Sequence, residues 1–302
     1  MAEPAESIIF VVEDKDQETK SLLLAASLAR HHRVGADVSL IAYVTEAALA
    51  DLDPVTHALY ERCGVRITQL PILAGVWAAP YPQGTRLLAA AMPRPSQRAT
   101  VLVTDMICRA RITDIAPGSG REVFAVPEDR RTWGKDSADW QTAYDFFNLP
   151  MPQERVTLTR GKNAESLPYF NTGFVSFPEA PLGKAGKTFG RLWLDAARHF
   201  DFLCEIEGKR PWLDQITLPL AMALHGVDCL LLPDSYNYSI AGRADLSAVP
   251  QAQVLRYDRP AVFHQLPDAA ALLAALRDML PARHRDGLDL LLAVHFDPVP
   301  AG

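Results

Sequence analysis

"SIIFVVEDKDQETKSLLLAASLARHHRVGADVSLIAYV", residues 7–44, holds two kinds of periodicity side by side. The runs 7–12 and 38–44 are almost wholly apolar, as strands buried on both faces are. Between them, residues 17–32 place Leu22, Ala25, Ala26 and Leu28 at helical spacing. Strand, helix and strand in that order form a crossover that pairs the strands in parallel. The alternation continues outward, with a helix over 46–64 broken near Pro54 and a strand over 65–72. A helix over 85–92 and a strand over 99–105 follow. The spacing predicts an α/β fold, a mostly parallel sheet with helices on both faces.

Past residue 105 the pattern loosens. "DIAPGSGRE" (114–122) and "EAPLGKAGKTFG" (179–190) have the Gly and Pro of loops. Helices are expected at 137–148, 188–206, 213–225 and 267–280, and "VDCLLLP" (227–233) reads as one more buried strand. No repeat and no low-complexity linker interrupts the chain. One domain over 1–302 is expected, with a nucleotide-binding half to about residue 125. A half that completes the site, with the C-terminal helices, follows from about 126.

Composition narrows the function. Net charge is -6 with no block of Lys or Arg, so nucleic acid is not an expected partner. No run approaches the roughly 18 apolar residues of a membrane span, and the apolar start is too short for a signal peptide. Cys63, Cys108, Cys204 and Cys229 show no CxxC spacing and read as free thiols of a cytoplasmic protein.

Several segments carry candidate chemistry. "VLVTD" ends a buried strand at Asp105, where open parallel sheets bind ligands and a carboxylate can hold a divalent cation; a harmless turn acid fits equally. "LPYFNTGFVSF" (167–177) reads as a strand, yet it carries Asn171 and Gly173. A β-bulge explains both, and so does a ligand close to the backbone. "WLDQITLPLAMALHG" (212–226) opens a helix with Asp214 and Gln215, and "RPAVFHQLP" (259–267) ends an apolar run at His264. "GKAGKT" (183–188) approaches a phosphate loop, but Pro181 stands where that pattern needs Gly. "VVEDKD" leaves no G-x-G-x-x-G after the first strand.

In chain order these segments resemble nucleotide-sugar glycosyltransferases of the GT-A fold, nearest the retaining group of glycogenin and bacterial lipopolysaccharide galactosyltransferases. The resemblance lies in "GTRLLAA" with Arg86, "VTDMICRARITDI", "YFNTG", Asp214-Gln215, "LLLPDSYNY" and "PAVFH", over roughly residues 7–266. It implies an enzyme that transfers a sugar from a UDP- or, less readily, a GDP-sugar, with retention. The acceptor would be a glycan, lipid, small molecule or protein. Asp214 would then hold donor-sugar hydroxyls, Gln215 would lie near the anomeric carbon, and Asn171 would bond sugar hydroxyls over Gly173. Val12, Glu13, Arg86, Thr104 and Asp105 would belong to the donor site, and Asp105 with His264 would hold Mn²⁺ or Mg²⁺. The chain departs from the family at Val103, where the first acid of Asp-x-Asp belongs, and at "QLPDAAAL", where Gly-x-x-Lys-Pro-Trp belongs. These departures leave open an inactive or repurposed GT-A nucleotide- or sugar-binding protein, with a P-loop-like NTPase as a further alternative. At a metal-free site, Arg86, Arg160 or Lys162 would neutralise the diphosphate.

Overall fold

The computed structural model describes residues 5–71, 75–115, 120–135, 137–160, 164–182 and 186–296. The chain opens with β1 (Glu6–Val12), α1 (Lys15–His31), β2 (Val38–Thr45), α2 (Glu46–Ala50), α3 (Pro54–Cys63) and β3 (Val65–Leu70). Next come α4 (Gly84–Ala90), β4 (Arg98–Leu102), β5 (Met106–Cys108), β6 (Val123–Pro127) and α5 (Ser137–Phe146). Two short strands, β7 (Val156–Thr157) and β8 (Glu165–Ser166), precede β9 (Phe170–Pro178), α6 (Phe189–Leu203), α7 (Leu213–His225) and β10 (Cys229–Leu231). The chain closes with β11 (Tyr238–Ser239), β12 (Val254–Arg256), α8 (Pro260–Phe263), α9 (Ala269–Asp278) and α10 (Ala282–Phe296). Both helix and strand run through the chain, and the α/β class holds.

Two compact units are assembled from interleaved segments. The first comprises Met1–Pro71, Leu102–Ile115 and Ser235–Gly302, the second Ile72–Val101 and Ala116–Asp234.

In the first unit, β1, β2 and β3 pair in parallel, with Ile8 opposite Leu40 and Leu40 opposite Val65. Ile8, Ile9 and Phe10 are wholly buried, as are Leu22, Leu24 and Leu28 of α1 and Leu59 of α3. The expected break near Pro54 is a cap: Asp53 accepts from the Val55 N–H at 2.8 Å, and Pro54 needs no donor in the first turn. A smaller sheet sets β12 antiparallel to β5 and parallel to β11. Its register places Arg256 opposite Met106, and the Tyr257 N–H donates to the Asp105 carbonyl at 3.0 Å.

In the second unit the strand order is β10-β6-β9-β4, with β10 parallel and β9 antiparallel to β6. The register of β9 jumps, since Ala125 faces Val175 while the next residue, Val126, faces Asn171. Residues 172–174 therefore bulge out of the ladder, which is the bulge that Asn171 and Gly173 suggest in the sequence. The β9 strand begins at Phe170 rather than at Leu167. Residues 229–231 form an edge strand instead of a doubly buried one, with Leu231 52% exposed. Among the described residues β10 pairs only with β6, and Leu230 is exposed beside Leu231.

The same unit packs α6 onto the end of α4. A Cβ at Gly190 would stand 2.1 Å from the Ala90 carbonyl oxygen, a separation no side chain can take. Gly190→Ala is expected to cost about 3 kcal/mol by forcing the two helices apart. A urea midpoint equal to that of the parent, with unchanged slope, would show that α6 shifts without strain. Among the described residues, no helix is long and apolar enough to cross a membrane.

Candidate active site

The α7 helix has every residue from Leu213 to Met222 buried. Two polar residues in its first turn therefore need partners within the protein. Asp214 has several. Its Oδ1 accepts from the Tyr81 hydroxyl at 2.7 Å, and its Oδ2 accepts from Thr172 Oγ1 at 2.5 Å and Arg86 Nη2 at 3.0 Å. The Tyr81 oxygen also accepts from the Asp214 N–H at 2.9 Å, and Trp193 Nε1 donates to the Asp214 carbonyl at 3.2 Å. Burial, and then the Asp214 charge beside it, push the Tyr81 hydroxyl well above its ordinary pKa, so it remains a donor. Arg86 holds the bulge as well, donating from Nη1 to the Thr172 carbonyl at 3.2 Å. The β9 bulge is thus what brings Thr172 to the carboxylate.

Gln215, the next residue, donates from Nε2 to Glu128 at 2.7 Å, while its buried Oε1 has no partner among the described residues. Glu128 is 3% exposed and follows the last residue of β6. Its other oxygen accepts from Asn171 Nδ2 at 3.0 Å and from the Asp129 N–H at 2.8 Å. Asn171 Oδ1 accepts from the Gly173 N–H at 2.9 Å, clasping the bulge. Arg86 and Asp214 therefore belong to one hydrogen-bonded network, and Asn171, Gly173 and Gln215 to a second, the two joined where Asp214 and Gln215 are chain neighbours. Glu128, its second carboxylate, was not foreseen. The signal was present in "VFAVPED" (123–129), an apolar run ended by acids like "VLVTD", though no element was expected there.

The other expected site residues lie in the first unit. Val12 ends β1, wholly buried, and Glu13 follows it, its N–H donating to Gln17 Oε1 at 3.0 Å. The β4 strand ends at Leu102, so Val103, Thr104 and Asp105 occupy the connection to β5 rather than the strand. Asp105 Oδ2 lies 3.3 Å from Arg256 Nε, and Oδ1 is buried with no partner among the described residues. His264 is exposed; it ends the short α8 helix and donates from Nε2 to the Phe296 carbonyl of α10. The run "PAVF" starts a helix at its proline, and that helix turns the imidazole toward α10.

A profile of the Rhodobacterales glycosyltransferase domain matches residues 8–226, well over half of the chain. The chain belongs to this glycosyltransferase family. No curated protein sequence matches the glycosyltransferase. Among solved structures it is similar to the galactosyltransferase LgtC in complex with donor and acceptor sugar analogues. That likeness has a TM-score of 0.51 at 11% identity and covers 93% of this chain and 99% of the other. The bifunctional glycosyltransferase WbbM gives 0.57 at 11% identity, covering 96% of this chain and 52% of the other. GlyE of Streptococcus pneumoniae TIGR4 gives 0.52 at 12% identity, covering 99% and 66%. At such identities these likenesses establish the GT-A fold.

The glycosyltransferase's residues fit a divalent cation poorly. Val103 has no donor atom, Asp105 faces a guanidinium, and His264 Nε2 is bonded to a carbonyl. Among the described residues, no three His, Cys, Asp or Glu side chains converge. Of the alternative cations, Arg86 is paired with Asp214 and Arg160 lies 3.7 Å from Asp129. Lys162 falls outside the described residues, as does part of the "GKAGKT" segment.

Proposed function

We propose that the glycosyltransferase moves a sugar from a nucleoside-diphosphate sugar, with UDP as the first candidate base, to an acceptor hydroxyl with retention at the anomeric carbon. The observation that carries this is the double network in the first turn of α7, where buried Asp214 and Gln215 are each fixed by side chains from other elements. Glycosyl transfer builds positive charge on the anomeric carbon and negative charge on the departing diphosphate, so fixed dipoles and charges do much of the work. Gln215 is suited to the first task. Glu128 holds its amide nitrogen, which leaves the carbonyl oxygen as a negative dipole end for the developing cation. Asp214 is suited to accept from sugar hydroxyls. Asn171 has its amide engaged with Glu128 and Gly173, and it serves as a positioning residue for both networks.

Thermal shift against UDP, GDP, CMP and ATP, followed by assay of nucleotide release from the matching sugar donors, tests this function. A ligand at about 100 times its Kd stabilises by roughly 2.7 kcal/mol. Release of nucleotide from a UDP- or GDP-sugar supports the enzyme. Binding of a nucleotide sugar without turnover or transfer would make the protein a repurposed binding module, and stabilisation by ATP alone would point to an NTPase.

A further inference from the structure

We propose that Arg256 occupies the place of a divalent cation at Asp105 and itself carries the charge of the donor's diphosphate. This inference rests on the nucleotide-sugar function above and specifies how the diphosphate is neutralised in this chain.

The backbone makes the placement definite. Asp105 immediately precedes β5, and β12 runs antiparallel to β5 with Arg256 opposite Met106. The Tyr257 N–H bonds the Asp105 carbonyl, which pins the register by one further residue. Arg256 is thereby delivered to the Asp105 carboxylate by sheet geometry rather than by a flexible loop. Its Nε stands 3.3 Å from Asp105 Oδ2, and its Nη2 stands 3.1 Å from Asp258 Oδ1. The side chain is about one quarter exposed, so the guanidinium reaches the surface while its stem is covered.

That arrangement is hostile to Mn²⁺ or Mg²⁺. Both ions need several oxygen ligands, and the two carboxylates at this place, Asp105 and Asp258, are both already paired with the fixed positive charge of Arg256. A dication entering there would meet the guanidinium at close range, and Val103 could offer it nothing. The same guanidinium is well suited to a diphosphate, since its planar fork of N–H donors matches phosphate oxygens. Asp258 need not be stranded when Arg256 turns to a phosphate, because the Ser239 hydroxyl donates to its other oxygen at 2.9 Å.

Calorimetric titration of UDP and GDP into the full chain, in Mn²⁺ and separately in EDTA, tests the inference. The nucleotide that binds is expected to do so within about twofold in the two buffers, with Arg256→Ala weakening it by about 10- to 100-fold. Arg256→Lys should recover part of that loss, showing that charge and not folding is at issue. Joint Val103→Asp and Arg256→His substitution should restore a ligand set and make binding Mn²⁺-dependent. Parent binding tightened more than about tenfold by Mn²⁺, or untouched by Arg256→Ala, would overturn the role of Arg256 and leave the transferase function standing. Binding of neither nucleotide in either buffer, by protein with a normal melting transition, would overturn both.

Discussion

Asp214→Asn is expected to lower sugar transfer by about 10²–10³-fold while UDP binding stays within a few-fold of the parent. The substitution keeps the shape of the side chain but removes its charge and turns one oxygen into a donor. Tyr81 donates to one oxygen, whereas Thr172 and Arg86 donate to the other. Whichever way the amide turns, one of these sides meets an N–H group instead of an acceptor. Arg86 then loses its counterion in a place where its side chain is only 19% exposed, so the bulge it braces should loosen as well. Steady-state transfer, paired with UDP titration of the same preparation, separates loss of chemistry from loss of folding. Transfer persisting at the parental rate would reduce Asp214 to a structural acid at a helix start.

The second large effect concerns stability. Arg94 is completely buried beside Glu179, donating from Nε at 2.8 Å, and it also donates to the Ala89 and Ala90 carbonyls at the end of α4. Arg94→Met should cost about 3–5 kcal/mol, because Glu179 is left buried without its cation and α4 loses its C-terminal donors. Pairing it with Glu179→Leu should recover most of the loss, since a buried ion pair replaced by apolar groups is often nearly neutral. The single variant should also depend on pH. Burial raises the Glu179 carboxyl above its ordinary value of 4.5, and Arg94 pulls it back down. Without Arg94 it rises further, so the folded state binds more protons than the unfolded state in the window above 4.5. Stability in that window falls as pH rises, and the deficit of Arg94→Met should be smaller at about pH 5 than at about pH 7.5. A deficit equal at both, measured by urea unfolding, would mean that Glu179 is not the stranded group.

Much of the fold was legible because β1 and β2 are buried strands, whose near-continuous apolar runs cannot be mistaken for amphipathic helices. The pause at Pro54 and the helix opening at Asp214 were legible for a related reason: caps and proline act locally. What escaped was either short or distant. The β12 strand has three residues, too few to show alternation, so nothing in "VLRYD" announced that Arg256 would face Asp105 across 151 positions of chain. Arg94 and Glu179 are 85 positions apart and carry no local mark of pairing. The expected helix at 137–148 was found as α5, yet the neighbouring β6 was missed, a run of only five residues in the irregular stretch after residue 105. His264 was a ligand candidate only through the family resemblance, and in the structure its Nε2 bonds the Phe296 carbonyl.

The extra residues in β9 bear on which kinds of mutation the glycosyltransferase can absorb. On one side of the bulge Asn171 faces Val126, and on the other Val175 faces Ala125. Side chains alternate across a sheet with a period of two, so removing or adding one residue at 172–174 would invert every position on one side relative to the other. A substitution at Thr172 costs one hydrogen bond; a single-codon deletion there would turn either the clasp at Asn171 or the core run at Phe174–Phe177 inside out. The length of this segment is therefore under tighter constraint than the spelling at Thr172, and a library of this gene should tolerate more letters at 172 than at buried Phe174 and almost no frame-preserving insertions or deletions across 172–174.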